Sequence, residues 1–142
     1  MSQKFQDIVE KSYDSVAEDW SKTRKNLHWE DFDWMYEAAP CSSERDKILD
    51  LGCGTGRLFD FLESKGCVYQ QYTGVDLSKN MLQQAQKHYP KNRYVQGSML
   101  SIPVTDTGSI DQVWCIAAFH HLGSRQERLE ALMEISRVLK PG

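Results

Sequence analysis

The sequence predicts an α/β fold, a parallel sheet with helices on both faces and a helical segment in front of it. Three observations lead there. After residue 47, short apolar runs alternate with stretches of helical period. The first run, Ile48-Leu49-Asp50-Leu51, delivers three glycines at alternate positions, Gly52, Gly54 and Gly56, to the start of a helix. The second run ends in an acid, Asp76, twenty residues beyond Gly56.

Length and composition bound what such a chain can be. At 142 residues, 40% hydrophobic and 26% charged, it reads as one globular domain over residues 1–142. No apolar run has the length needed to span a bilayer, and Met1-Ser2-Gln3-Lys4 leads into polar residues, so the expected location is cytoplasmic, with no membrane partner. Cys41, Cys53, Cys67 and Cys115 form no C-x-x-C pair, which suits reduced thiols better than a zinc site or a disulfide framework. The net charge of −3 is unevenly spread: residues 1–46 hold six Lys/Arg against eleven Asp/Glu. A phosphate-rich partner would therefore dock away from the front segment. Lys79, Lys87, Lys91 and Arg93 form a small basic group that reads first as a solvated face.

The elements follow in order. Phe5, Ile8, Val9, Tyr13, Val16, Ala17 and Trp20 repeat at three- and four-residue steps and predict an amphipathic helix over 3–20, broken near Ser12. Residues 21–28 read as a loop. Trp29, Phe32, Trp34, Met35, Tyr36 and Ala39 predict a second helix ended by Pro40. Together residues 1–46 make a helical lid or brace, whose aromatic rings either fill core or close over a ligand.

The first strand spans 47–51, and the helix after the glycine loop buries Leu58, Phe59, Phe61 and Leu62 up to Lys65-Gly66. A second strand over 71–76 precedes Ser78, an N-cap for a helix through Met81, Leu82, Ala85 and His88 that Pro90 stops. A third strand covers 93–96 and a fourth 110–117. Ser124 and Glu127 form a capping box for the last helix. The sheet is then half of a larger one, residues 47–142 forming its core. The open edge at the fourth strand predicts a truncated fold or pairing with another copy of the chain.

In open parallel sheets ligands bind beyond the carboxyl ends of the strands. Asp50 and the glycine loop, Asp76, Ser98 and Met99, and Phe119-His120-His121 all fall at such ends. Asp76 has the place of an acid that accepts hydrogen bonds from two ribose hydroxyls. Asp50 either meets a ligand ammonium or fixes the loop amides. The spacing G-x-G-x-G differs from the dinucleotide fingerprint G-x-G-x-x-G, and together with Asp50 it disfavours a nicotinamide-dependent dehydrogenase.

Ile48-Leu49-Asp50-Leu51-Gly52-Cys53-Gly54-Thr55-Gly56, Gly74-Val75-Asp76-Leu77-Ser78 and Arg137-Val138-Leu139-Lys140-Pro141-Gly142 resemble the class I S-adenosylmethionine-dependent methyltransferases, with a Rossmann-like fold, over most of residues 47–142. The resemblance implies S-adenosylmethionine as cofactor and S-adenosylhomocysteine as product. It implies that Gly52, Cys53, Gly54 and Gly56 shape the loop under the methionine tail, that Asp76 holds the ribose, and that Leu77, Met81 and Ala117 border the ligand. Ser98 and Met99 match the place where the family often has Asp and an apolar residue against the adenine; Ser98 accepts there without charge.

Residues 13–24 and Ala118-Phe119-His120-His121 resemble segments of the tRNA wobble-uridine methyltransferases, which makes Tyr13 and Arg24 candidates at the cofactor's tail. Methyl transfer from a sulfonium needs alignment more than a base, so His120 is a candidate base but no catalytic residue is obligatory. The implied function is methyl transfer to a small molecule or a tRNA base. The alternative is a non-catalytic truncated module that binds the cofactor or serves as partner subunit of a complete methyltransferase.

Overall fold

The computed structural model describes residues 3–24, 29–103 and 106–142. Its elements are α1 (Gln3–Arg24), α2 (Glu30–Ala38), β1 (Ile48–Leu51), α3 (Arg57–Ser64), β2 (Tyr72–Asp76), α4 (Lys79–His88), β3 (Arg93–Gln96), β4 (Gln112–Trp114) and α5 (Arg125–Val138). The four strands are parallel and lie in the order β3-β2-β1-β4. The order therefore reverses between β1 and β4, and the crevice beyond their carboxyl ends is where a ligand finds room.

Alternation along β1 sorts the core onto two faces. Ile48 joins Tyr72, Trp114 and the α3 residues Leu58, Phe59, Phe61 and Leu62 on one side, together with Phe32 of α2. Leu49 and Leu51 join Val75, Ile102, Ile110 and Val138 on the other, against α5. All four residues of β1 are buried, as befits a central strand covered on both faces. Phe32 shows that the aromatic helix α2 does fill core, with Trp29 and Tyr36 packed at its margin.

Two expectations are corrected. Helix α1 is not broken at Ser12 and does not end at Trp20: it runs unbroken to Arg24. No Gly or Pro interrupts residues 3–24, and the last turns are reinforced by the Lys22–Glu18 pair and by the Thr23 hydroxyl on the Asp19 carbonyl. Strand β4 has three residues rather than eight. Only Gln112 to Trp114 find partners on β1, Ile110 instead bridges to Leu139, and Ala117 takes a positive φ of 52° that ends any extended run.

The edge at β4 is also less open than the strand pattern suggests. The N–H groups of Ser109 and Ile110 donate to the Val138 carbonyl, and Lys140 N donates to the Ile110 carbonyl, so the segment after α5 covers the start of that edge. No helix among the described residues is long and apolar enough to cross a membrane.

Candidate functional site

The carboxyl ends of the strands open into one cavity, floored by the glycine loop and by the ends of β1 and β2 and roofed by α1. Gly52 and Gly54 turn the loop with φ of 72° and 52°. A Cβ on Gly52 would lie 2.3 Å from Ala118 Cβ, so the loop and the turn after β4 meet only because Gly52 has no side chain. A Cβ on Gly54 would meet nothing within 4 Å and would stand in the cavity itself.

The loop's own amides are mostly committed. Gly52 N and Cys53 N both donate to the Val75 carbonyl, Gly56 N donates to the Cys53 carbonyl, and Gly54 N donates to Asp76 Oδ2 at 2.8 Å. Three of these N–H groups hold the loop to β2, and the Gly56 N–H closes the loop's own turn. Asp76, not Asp50, fixes a loop amide.

Asp76 accepts a second N–H, from Ser78 at 2.9 Å, on its other oxygen. Each carboxylate oxygen thus carries one backbone hydrogen bond and keeps a second lone pair. Burial raises its pKa, and the Asp14 charge adds to that rise, against the Ser78, Gly54 and Leu77 amides that lower it. A carboxylate with one spare acceptor site on each oxygen fits a vicinal diol.

Asp50 lies deeper, 3% exposed, and accepts the Tyr72 hydroxyl at 2.6 Å. Burial pushes its pKa up to about 7; the Tyr72 hydrogen bond lowers it, the nearby Asp76 raises it and Arg57 lowers it. Gly74, opposite Asp50 in the register, leaves the space that Cys53 Sγ and the Tyr94 ring occupy. Cys53 is buried, and burial raises its pKa well above the ordinary thiol value, so it acts as a packed wall and not as a nucleophile.

Leu77, Met81, Ser98, Met99 and Ala117 line the same cavity. The Ser98 hydroxyl accepts Leu100 N at 3.1 Å, which leaves its proton to offer a ligand. Gly56 is the exception among the loop glycines: it faces Tyr94, Tyr89 and Ala85 and serves the packing of α4. Tyr13 reaches the cavity from α1, whereas the Arg24 side chain lies outside the described residues. His120 is exposed and away from the lining; His121 is the histidine that borders the cavity, with Nε2 at 2.6 Å from the Tyr13 hydroxyl. Burial, and then the neighbouring His120, lower the His121 pKa, which favours neutral imidazole near pH 7.

Sequence reasoning missed Arg57; the rings of the aromatic wall beside it are expected from the sequence to fill core or to close over a ligand, and Phe32 both packs in the core and lines the cavity. Arg57 opens α3, lines the cavity and stacks its guanidinium 4.2 Å from the centre of the Trp29 ring. Trp20 and Phe32 complete that wall. A basic residue directly after the last loop glycine was the available signal. The cavity therefore offers a cation and a buried acid on the loop side, a carboxylate beyond β2 and apolar walls between. Among the described residues no group of three or more His, Cys, Asp or Glu could hold a metal ion.

A family model described as "Methyltransferase domain" matches residues 49–142. The chain is 33% identical over 96 residues to malonyl-[acyl-carrier protein] O-methyltransferase of Enterobacter lignolyticus, covering 68% of this chain and 36% of that protein. It is 30% identical over 134 residues to the tRNA (carboxymethyluridine(34)-5-O)-methyltransferase ALKBH8 of Mus musculus, covering 94% of this chain and 18% of that one. An amino pentose methyltransferase from Micromonospora echinaspora, solved with SAM bound, superposes with a TM-score of 0.67 at 25% identity, over 87% of this chain and 52% of that one. The chain thus spans about a third or less of these two curated relatives.

Proposed function

The chain belongs to the methyltransferase-domain family, and on that premise we propose that its cavity binds S-adenosylmethionine and supports methyl transfer to a small-molecule or tRNA acceptor. The observation that carries the reading is Asp76: its two oxygens, each fixed by one backbone amide, keep two acceptor sites beside a cavity lined by apolar residues. That pairing suits a ribose diol joined to an aromatic base.

The other residues divide the ligand's remaining groups among them. Asp50, buried and half-titrated near neutrality, is a partner for an ammonium. Arg57 is a partner for a carboxylate, held in place by Trp29. Leu77, Met81 and Met99 give the base an apolar bed, and the Ser98 hydroxyl offers it a proton. When bound, S-adenosylmethionine supplies a methyl group made electrophilic by its sulfonium. The protein's task is then to exclude water and to align the acceptor. Tyr13 and His121, bonded across the cavity mouth from α1 and from the turn after β4, border the space left for that acceptor. Neutral His121 can take up a proton where the acceptor must lose one.

The acceptor class draws its support from relatives, one named for malonyl-[acyl-carrier protein] and one for a carboxymethyluridine of tRNA. The acidic front segment counts mildly against a polyanion. Isothermal titration with S-adenosylmethionine, S-adenosylhomocysteine and NAD tests the cofactor. Heat with both sulfur ligands and none with NAD is expected; a folded sample silent to both sulfur ligands would sink the proposal.

A further inference from the structure

Helix α1 is fastened to the sheet domain by polar side chains. Among its described side chains only Ala17 and Ser21 are buried. Glu10 accepts from Gln96 at 3.2 Å, Tyr13 meets His121 and Ser21 meets His88 at 3.4 Å. One further contact differs in where it leads. Asp14 Oδ1 accepts the Ser78 hydroxyl and Asn80 N at 3.0 Å, while Asn80 Nδ2 donates to the Asp14 carbonyl at 3.1 Å.

Ser78 is fully buried, and its hydroxyl has one proton and must place it. With that proton on Asp14, the hydroxyl's lone pair is turned toward Met81 N, 3.1 Å away, which closes the first turn of α4. The same residue's N–H donates to Asp76 Oδ1, and Asp76 Oδ2 takes Gly54 N. An unbroken hydrogen-bonded path runs from the roof of the cavity to its floor: Asp14, Ser78, Asp76, Gly54.

We propose that Asp14 is a positioning residue for Asp76: by taking the Ser78 proton it fixes the start of α4 and so the carboxylate and the glycine loop that the carboxylate holds. The inference rests on the cofactor reading for its purpose, but not for its detection. Losing Asp14 leaves a buried hydroxyl free to rotate, loosens the Ser78 amide on Asp76, and passes that freedom to Gly54 N.

Amide exchange by NMR on the unliganded protein reads this directly. In Asp14→Ala, exchange at Gly54 N should rise about tenfold and affinity for S-adenosylhomocysteine should fall about tenfold, the worth of one hydrogen bond to a charged group. Asp14→Asn keeps an acceptor oxygen for Ser78 and should recover both to within about threefold. Glu10→Ala, which cuts a different contact of α1, should leave Gly54 N within about twofold of the parent. Unchanged Gly54 exchange in Asp14→Ala, or an equal rise in Glu10→Ala, overturns the proposal, since α1 would then act only as a lid.

Should Asp14→Ala fail to fold, Asp14→Glu takes its place: it keeps the charge but displaces the oxygen by one methylene, so Gly54 exchange should rise there and not in Asp14→Asn, and equal behaviour of the two overturns the proposal. A parent protein that does not bind S-adenosylhomocysteine yet shows the Gly54 response refutes the cofactor reading and leaves the positioning role standing.

Discussion

The Tyr72 hydroxyl donates to the Asp50 carboxylate at 2.6 Å inside the sheet, where Tyr72 is 1% exposed. That bond is the main compensation a buried acid receives there, and it falls short: the Asp50 pKa still rises to about 7 from 3.8. The folded state therefore binds a proton more tightly than the unfolded one. Asp50 contributes stability that is full below about pH 4 and is lost as pH rises through about 7, on the order of 4 kcal/mol were it to act alone. Urea midpoints of the unliganded protein should fall between pH 5 and pH 8, and Asp50→Asn should flatten that slope. Equal slopes in the two proteins would show that Asp50 is ionised throughout.

A ligand ammonium beside Asp50 would reverse this shift. Binding of S-adenosylhomocysteine at pH 6 should then release close to one proton in the parent and close to none in Asp50→Asn. Titrations in two buffers of different ionisation enthalpy measure the release. No difference between buffers would remove Asp50 from the ligand's charge pairing.

Asp76 has two duties, so its removal should show two effects. Asp76→Ala should weaken cofactor binding at least about a hundredfold and cost roughly 1–3 kcal/mol of stability, because Gly54 N and Ser78 N lose their acceptor. Calorimetry and urea melts on one preparation separate the two. Unaltered affinity would refute the ribose role whatever happens to stability.

Gly52 and Gly54 should separate under the same substitution. Gly54→Ala adds a methyl group to open space at φ 52°, so it should cost about 1–2 kcal/mol of backbone strain while obstructing the ligand. Gly52→Ala adds the same strain and a 2.3 Å collision with Ala118, and should destabilise by roughly 3 kcal/mol or more. Chemical denaturation of both variants decides it; equal losses would mean that the turn after β4 yields freely.

Cys41 Sγ and Cys67 Sγ lie 3.1 Å apart, joining the connector after α2 to the end of the α3 turn. Both are free thiols. Peroxide should take two electrons and two protons from the pair, giving a disulfide and water, and Cys41→Ser should block it. The closed loop of 26 positions predicts added stability on the order of 3 kcal/mol. Thiol titration before and after peroxide should fall from four to two, and an unchanged count would disprove the pairing.

Local signals were legible in the sequence and partner-dependent ones were not. Ser78, the Ser124–Glu127 box and the bounds of β3 came through because each is decided within a few residues. The end of β4 did not, since a strand stops where its neighbour stops, and β1 offers partners only to Gln112–Trp114. The Asp76 position was readable from spacing, but its hold on Gly54 N needed the loop's conformation. His121 rather than His120 borders the cavity because the 3₁₀ turn over Phe119–His121 sets which ring points inward, and adjacent histidines are indistinguishable until that turn is known. Arg57 gained meaning only once Trp29, 28 positions earlier, was found against it.

The roof of the cavity has a kinetic consequence. Because α1 buries only two of its described residues, it should lift away at a free energy below that of global unfolding. The residence time of whatever occupies the cavity then becomes a property of the helix and not of the glycine loop. Stopped-flow dissociation followed through Trp20, which lines the cavity, should accelerate in Tyr13→Phe with little change in association rate. A dissociation rate indifferent to that change would place the exit route elsewhere.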